Sequence, residues 1–115
     1  MHELSIATTM VEMAAEEAER RGGVRVLAVH LKLGPLSGVV RDALLFSWGV
    51  ACEDTPIAGA RLVIDDSPVV VHCTTCQADR TLGALLQLTC PVCDTPTPEI
   101  VQGNELEVVA LEIQE

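Results

Sequence analysis

The sequence has few basic residues and almost no aromatic ones. Its 115 residues include 7 Lys and Arg against 17 Asp and Glu, which gives a formal net charge of −10. Binding to a phosphate backbone needs clustered Lys and Arg that displace counterions, so this balance argues against a nucleic-acid partner. Only Phe46 and Trp48 are aromatic, which leaves no material for a surface on which single-stranded bases stack. A cationic or protein partner fits the acidic composition better.

Long apolar runs and common catalytic motifs are also missing from the sequence. No run of about 18 apolar residues occurs, so we expect no membrane-spanning helix and no membrane partner. The first residues, Met1-His2-Glu3-Leu4, lack the basic start and apolar core of a signal peptide, which predicts a cytoplasmic protein. Glycine-rich nucleotide loops, a nucleophile elbow and a metalloprotease helix motif do not occur. We therefore do not expect an enzyme.

The hydrophobic pattern predicts an α+β protein with two helices on a three-stranded mixed sheet. Apolar residues at helical spacing predict helices over residues 4–21 and 40–52. Alternating apolar residues predict a strand over 27–33, a second over 61–71 with a polar break in its middle, and a third over 105–113. A helix between the first two strands suits a parallel crossover, which would make the sheet mixed.

The same pattern predicts two lobes of unequal size. Residues 1–72 plus 100–115 contain both helices and all three strands, and they are expected to form the α+β domain. Residues 73–99 contain the paired cysteines. A fold of fewer than about 40 residues usually needs a metal or disulfides. We therefore expect residues 73–99 to form a small zinc-ribbon-like lobe, inserted between the second and third strands.

Four of the five cysteines form two C-x-x-C pairs, Cys73 with Cys76 and Cys90 with Cys93, separated by 13 residues. In a reducing cytoplasm this spacing favours metal ligation over two disulfides or two redox pairs. Two facing pairs can make a closed tetrahedral site for structural zinc, with Zn–S distances of ~2.3 Å. Iron in a rubredoxin-like centre uses the same four thiolates and stays an alternative. Cys52 is interpreted as a buried small apolar residue.

The first three residues form a second candidate metal site. The α-amine of Met1, the backbone nitrogen of His2 and the His2 imidazole can close adjacent chelate rings on one metal. Glu3 can add its backbone nitrogen or a carboxylate oxygen. A square plane of nitrogen ligands suits Ni(II) or Cu(II), and binding should strengthen as pH rises because the amine must lose its proton. A solvated terminal histidine is the alternative interpretation.

Taken with the cysteine pairs, the Met-His-Glu-Leu-Ser start resembles the HypA family of hydrogenase nickel-insertion accessory proteins. Residues 31–39 resemble the first strand of that family with its glycine-containing turn, and residues 103–106 resemble the start of its last strand. The resemblance covers essentially the whole chain in the right order. The chain departs from the family pattern at Asp94, after the second cysteine pair, and at Trp48-Gly49 in the second helix.

The resemblance implies a nickel metallochaperone that holds Ni(II) transiently and carries structural Zn(II). The nickel-site residues it implies are Met1, His2 and Glu3. The zinc ligands it implies are Cys73, Cys76, Cys90 and Cys93. It also implies cooperation with the accessory GTPase HypB and delivery to the large-subunit precursor of a [NiFe] hydrogenase, or in some organisms to urease. Electron transfer by a rubredoxin-like iron centre, an adaptor that uses its zinc lobe only for protein contacts, and a homodimer stay open.

Overall fold

The computed structural model describes residues 2–83 and 87–114, and within them it contains two helices and six strands. The elements are α1 (Glu3–Arg20), β1 (Arg25–Leu33), α2 (Arg41–Cys52), β2 (Arg61–Asp66), β3 (Val70–Cys73), β4 (Ala78–Thr81), β5 (Ile100–Gln102) and β6 (Leu106–Gln114). The bounds of both helices and of the first and last strands lie within about two residues of the predicted ones, the usual spread between assignment methods. Neither described helix is long and apolar enough to cross a membrane.

Three strands form a mixed sheet in the order β2–β1–β6, which confirms the predicted α+β fold with two helices. The other three strands form a separate antiparallel sheet in the order β4–β3–β5, which the sequence did not predict. The expected continuation of the second strand through residues 69–71 is wrong, because β3 belongs to this separate sheet. Pro68 lies in the break and has no N–H to donate to a ladder, which favours a strand end there.

The chain divides into two compact units. The first unit contains the ranges Met1–Lys32, Gly38–Asp65 and Glu107–Glu115, and the second contains Leu33–Ser37 and Asp66–Leu106. The range 73–99, predicted as a zinc lobe, lies inside the second unit, which extends beyond it on both sides. The assignment of nickel to one domain and zinc to the other stays a prediction.

Buried side chains of α1, β1 and α2 form the core of the first unit. The buried face of α1 is built from small and medium side chains, which allow close helix packing: Ala7, Met10, Val11, Ala14 and Ala18. Leu44, Trp48 and Cys52 are buried on α2 at helical spacing. The Trp48 indole Nε1–H donates to the Ala60 carbonyl at 2.9 Å, which satisfies its polar atom inside the core.

In the second unit, the chain at Gly34 passes against the backbone at Gly103. The Gly34 N–H donates to the Glu105 carbonyl at 2.9 Å, and the Leu36 N–H donates to the Gly103 carbonyl at 2.8 Å. A Cβ atom at Gly34 would lie 2.0 Å from the Gly103 carbonyl oxygen. Only glycine at position 34 therefore allows the two backbone segments to lie this close together.

The Gly34→Ala substitution is expected to destabilise the protein by at least about 1–3 kcal/mol, because backbone atoms must move to admit the methyl group. Gly49→Ala is the matched control. Gly49 lies in α2 with no atom within 4 Å of an added Cβ, so alanine there should stabilise the helix by about 0.5–1 kcal/mol. Urea unfolding of both variants checks the prediction, and equal stabilities would contradict it.

Candidate metal centre

Two tight turns present the four paired cysteines in the second unit. Cys73 ends β3, and Cys76 follows in the turn before β4. The residue after each pair has a positive φ, 53° at Gln77 and 59° at Asp94. Aspartate tolerates this left-handed region better than most side chains, so Asp94 fills the position that often takes glycine. Both turns can therefore direct their sulfurs to one point.

The four sulfur atoms form one cluster. The ligand atoms of Cys73, Cys76, Cys90 and Cys93 all lie within 4.8 Å of one another. Three sulfur–sulfur distances are shorter, at 3.5 Å between Cys73 and Cys93, 3.6 Å between Cys76 and Cys93, and 3.9 Å between Cys76 and Cys90. A tetrahedral zinc site with Zn–S bonds of ~2.3 Å has sulfur–sulfur separations of about 3.8 Å. The spacing of this four-cysteine cluster therefore fits a single tetrahedral ion.

Local hydrogen bonds stabilise the thiolate form at two of the four positions. Burial raises the pKa of the Cys90 thiol, but the backbone N–H groups of Cys93 and Val92, together with the sulfurs of Cys93 and Cys73, lower this pKa to about 6. The Thr95 side chain and backbone lower the pKa of Cys93. At Cys73 the Cys76 N–H lowers the pKa, yet burial and the neighbouring sulfurs raise it to about 11. Four sulfurs this close together favour the binding of one metal cation, which replaces the protons of the thiols.

Threonine hydroxyls connect the two cysteine turns. The Thr95 hydroxyl lies 3.1 Å from the Cys93 sulfur and donates to the Thr75 hydroxyl at 3.1 Å. Thr75 belongs to the first cysteine turn and Thr95 follows the second. The Cys90 N–H also donates to the Thr95 carbonyl at 2.8 Å, which fixes the second turn. The cluster is thus held by contacts between side chains and backbone as well as by its sulfurs.

Arg80 is a residue of the second unit that sequence reasoning missed. The sulfurs of Cys76 and Cys90 raise the pKa of its guanidinium. It lies on β4, where it pairs with Val71 of β3. The sequence feature that could have drawn attention to Arg80 is its position four residues after Cys76, in a stretch with no other basic residue.

The histidines His30 and His72 lie outside the cysteine cluster. His72 Nδ1 lies 2.9 Å from a carboxylate oxygen of Asp79, its partner across β3 and β4. In the first unit, His30 Nε2 lies 2.6 Å from a carboxylate oxygen of Glu112, and its Nδ1 lies 3.9 Å from Asp65. The carboxylates contact opposite nitrogens of the His30 ring, so this arrangement does not converge on one ion.

Only part of the N-terminal tripeptide can be described, because Met1 lies outside the described residues. His2 is exposed and precedes α1 as its N-cap, and its side chain makes no capping hydrogen bond. The Glu3 carboxylate accepts a hydrogen bond from the Val40 N–H at 3.2 Å, at the start of α2. This contact lowers the pKa of the Glu3 carboxyl. The Glu3 side chain therefore anchors the beginning of α1 to α2.

The Glu3 contact predicts a pH-dependent stability difference. Folding lowers the pKa of this carboxyl below 4.5, its value in the unfolded chain. The ionised carboxylate therefore stabilises the protein at pH values above 4.5. This stabilisation is lost as the pH falls through the lower pKa of the folded protein. Glu3→Gln should therefore be less stable than the exposed α1 control Glu12→Gln at about pH 7, and the gap should close near about pH 3. Thermal unfolding measures the gap, and any metal loss at low pH affects both variants alike. A gap that persists or widens at low pH would contradict the prediction.

A family model described as "Hydrogenase/urease nickel incorporation, metallochaperone, hypA" matches residues 1–113. The chain belongs to the HypA family. The resemblance inferred from the sequence is thereby confirmed. The match includes both the N-terminal tripeptide and all four cysteines of the cluster.

Curated HypA proteins are similar over nearly the full length of the chain. The hydrogenase maturation factor HypA of Chloroflexus aurantiacus is 53% identical over 112 residues, which cover 97% of this chain and 98% of the relative. The protein of the same name from Geobacter metallireducens is 41% identical over 114 residues, which cover 99% of this chain and 100% of the relative.

Two solved HypA structures share the fold. The solution structure of the nickel metallochaperone HypA from Helicobacter pylori has a TM-score of 0.66 and 22% identity, and covers 98% of this chain and 97% of its own. A second HypA solution structure has a TM-score of 0.72 and 24% identity, with coverage of 99% and 97%. The arrangement of two helices, a mixed sheet and an antiparallel sheet is therefore a HypA fold.

Proposed function

We propose that this chain is a nickel metallochaperone that supplies Ni(II) to the large-subunit precursor of a [NiFe] hydrogenase. The proposal rests mainly on His2, which is exposed and whose side chain makes no capping hydrogen bond to α1. The HypA family model matches the chain from residue 1 and so includes His2. A carrier must release its cargo, so an exposed chelate suits this task better than a closed cage of thiolates. The chain acts by holding and passing on the ion, not by catalysis.

The proposed nickel ligands are the Met1 amine, the backbone nitrogen and imidazole of His2, and the backbone nitrogen of Glu3. Four nitrogens match the square-planar preference of Ni(II). Glu3 contributes its backbone and not its carboxylate, because the carboxylate already accepts the Val40 N–H. The first N–H groups of a helix have no acceptor within the helix, so ligation by the Glu3 nitrogen breaks no helical hydrogen bond.

The proposed resident metal is zinc, held by Cys73, Cys76, Cys90 and Cys93. Four thiolates at tetrahedral spacing leave no open coordination position, which is the arrangement of a structural site. The metal would hold together a unit whose paired strands are at most four residues long. In this proposal zinc stabilises the second unit and takes no part in nickel transfer.

Metal analysis of the purified protein separates zinc from the iron alternative. We expect one zinc per chain and a colourless solution under reducing conditions. Iron in the same four-thiolate site would give a red protein, and stoichiometric iron in protein purified from the native host would contradict the zinc assignment.

The proposed partners are a HypB-type accessory GTPase, which would cooperate in nickel loading or release, and the hydrogenase precursor that receives the ion. Urease as an alternative client, a homodimer and a cytoplasmic location stay predictions. The acidic composition is compatible with a cationic cargo.

Transfer of nickel tests the proposal directly. Chain loaded with one radioactive Ni(II) is mixed with metal-free [NiFe] hydrogenase large-subunit precursor, with and without a HypB-type GTPase and GTP. We expect the precursor to take nickel faster from the loaded chain than from the same concentration of a nickel–glycine complex. Equal rates from the two sources, with GTPase present, would contradict a delivery function.

A further inference from the structure

Cys93 is the one exposed residue of the four-cysteine cluster. Cys73 and Cys90 are fully buried and Cys76 is half-buried, whereas Cys93 lies at the surface. A chelator or an electrophile in the solvent therefore reaches the Cys93 sulfur before it reaches the other three. A group that stabilises this sulfur affects how long a bound metal stays.

A threonine hydroxyl lies against this exposed sulfur. The Thr95 Oγ1 is 3.1 Å from the Cys93 sulfur and 3.1 Å from the Thr75 Oγ1, which belongs to the other cysteine turn. The backbone of Thr95 is held in place, because its carbonyl accepts the Cys90 N–H at 2.8 Å. Thr95 is also half-buried, so its hydroxyl has a defined position beside the sulfur.

The number of protons determines the direction of these hydrogen bonds. A hydroxyl group has one proton to donate, and a thiolate that binds a metal has none and can only accept. With a metal bound, the Thr95 hydroxyl must donate to Cys93 and cannot also donate to Thr75. The bond between the two hydroxyls, which runs from Thr95 to Thr75 in this structure, then runs from Thr75 to Thr95. This reversal needs only the rotation of two hydroxyl protons.

We propose that Thr95 is a positioning residue of the zinc centre, whose hydroxyl donates a hydrogen bond to the Cys93 thiolate and is itself oriented by the Thr75 hydroxyl. The proposal rests on the zinc site argued above and adds to it two residues outside the ligand set. A hydrogen bond draws electron density from the sulfur, which makes the sulfur less nucleophilic and fixes its direction toward the metal. Zinc should therefore leave slowly, and the exposed Cys93 should react slowly with electrophiles.

Four single variants of the full-length, zinc-loaded protein test the proposal. Thr95→Val removes the hydroxyl and keeps the branched shape, and Thr95→Ser keeps the hydroxyl. Thr75→Val removes only the group that orients Thr95. Thr74→Val is the matched control, because Thr74 is exposed in the first cysteine turn and lies outside the chain of hydroxyls.

Three measurements are made on each variant. Zinc transfer to a chromogenic chelator measures the affinity and the rate of loss. Alkylation by iodoacetamide, located by peptide mass spectrometry, measures the reactivity of each cysteine separately. The sulfur-to-metal charge-transfer band of the Co(II)-substituted protein measures the electron density on the sulfurs.

Thr95→Val should weaken zinc binding by about tenfold, at the low end of the range for groups that hydrogen-bond to metal ligands. Alkylation of Cys93 should become several-fold faster without an equal change at the other three cysteines, and the cobalt band should shift. Thr95→Ser and Thr74→Val should match wild type. Thr75→Val should have a smaller effect in the same direction, and the double variant should equal Thr95→Val, because Thr75 acts through Thr95.

Wild-type values for Thr95→Val in all three measurements would overturn the proposal. Faster alkylation spread evenly over the four cysteines would also overturn it, because that result indicates a loosened unit and not a lost hydrogen bond. The same holds if Thr95→Ser behaves as Thr95→Val, because the hydroxyl would then have no effect of its own. If Thr95→Val does not fold, Thr75→Val decides in the same way.

Failure of the zinc centre itself would be visible without any substitution. A wild-type chain in which zinc does not protect the four clustered thiols from alkylation would overturn the zinc site and this proposal with it. A protected wild-type chain with unchanged Thr95 variants would overturn the role of Thr95 alone.

Discussion

The Cys90→Ser variant is expected to lose zinc and to unfold the second unit while the first unit stays folded. Cys90 is fully buried, and its sulfur accepts backbone N–H groups as well as facing the other three cysteines. A serine hydroxyl is a poor zinc ligand at neutral pH, so the affinity loss should exceed the about 10- to 100-fold typical of changes outside the ligand set. Because such a unit has little core of its own, metal-binding energy is folding energy.

Zinc content after dialysis and amide hydrogen exchange measure these two effects. Protection should disappear from β3, β4 and β5 and persist in α1, β1 and α2. Cys52→Ser is the matched control, since Cys52 is a buried thiol of α2 outside the cluster. It should retain zinc and lose about 1–3 kcal/mol of stability from the buried hydroxyl. Retention of zinc and of exchange protection in Cys90→Ser would contradict the structural role of the metal.

The second large effect is expected at the N-terminus, where His2→Ala should abolish specific nickel binding. Alanine removes the imidazole and with it one chelate ring and one of the four nitrogen ligands of the proposed square plane. The His2 side chain is exposed and makes no capping contact, so the fold and the zinc content should not change. Calorimetric titration with Ni(II) measures the loss, and circular dichroism and zinc analysis measure the unchanged properties.

His30→Ala is the control for His2→Ala. His30 lies beside two carboxylates, Glu112 and Asp65, and is the other position in the first unit where an imidazole and acidic groups come together. Its replacement should leave specific nickel binding intact. Loss of nickel binding in His30→Ala together with normal binding in His2→Ala would show that nickel binds beside His30 in the sheet and not at the N-terminal tripeptide.

The sequence predicted α1, α2 and β1 well, because each has a strong local signal. Apolar residues repeat at helical spacing in α1 and α2 and alternate in β1, so type and bounds could be assigned. The spacing does not determine every residue of the buried face. Met13 shares the helical spacing of the buried Met10 but is 55% exposed, and Val11 is buried in its place. Which of two adjacent faces packs inward depends on the partner helix, which the pattern of one helix does not contain.

The second sheet could not be predicted because its strands are too short to show a period. The strand β5 has three residues, and β3 and β4 have four each. The pairing of β3 with β5 joins residues distant in sequence, such as Val70 and Gln102, which no local pattern contains. The cysteine spacing predicted which sulfurs come together and gave no sign of the strands that carry them.

Arg80 shows the same limit at the level of the site. The C-x-x-C spacing identifies ligands because ligand geometry restricts sequence distance. A residue on a neighbouring strand obeys no such spacing. The lone positive charge of Arg80 among the 41 residues from Asp66 to Leu106 was visible in the sequence, but its place opposite Val71 depends on the β3–β4 register.

The nickel chelate at the free amine of Met1 is the central claim, and one titration tests it most directly. Zinc-loaded chain that begins at Met1 is titrated with Ni(II) and followed by native mass spectrometry, beside a matched chain with one extra residue before Met1. The extension removes the α-amine from the chelate and leaves His2, Glu3 and the four cysteines unchanged. We predict one specific nickel ion on the native chain and none on the extended chain. Equal nickel binding by both chains would contradict the chelate, and with it the proposed mechanism of nickel carriage.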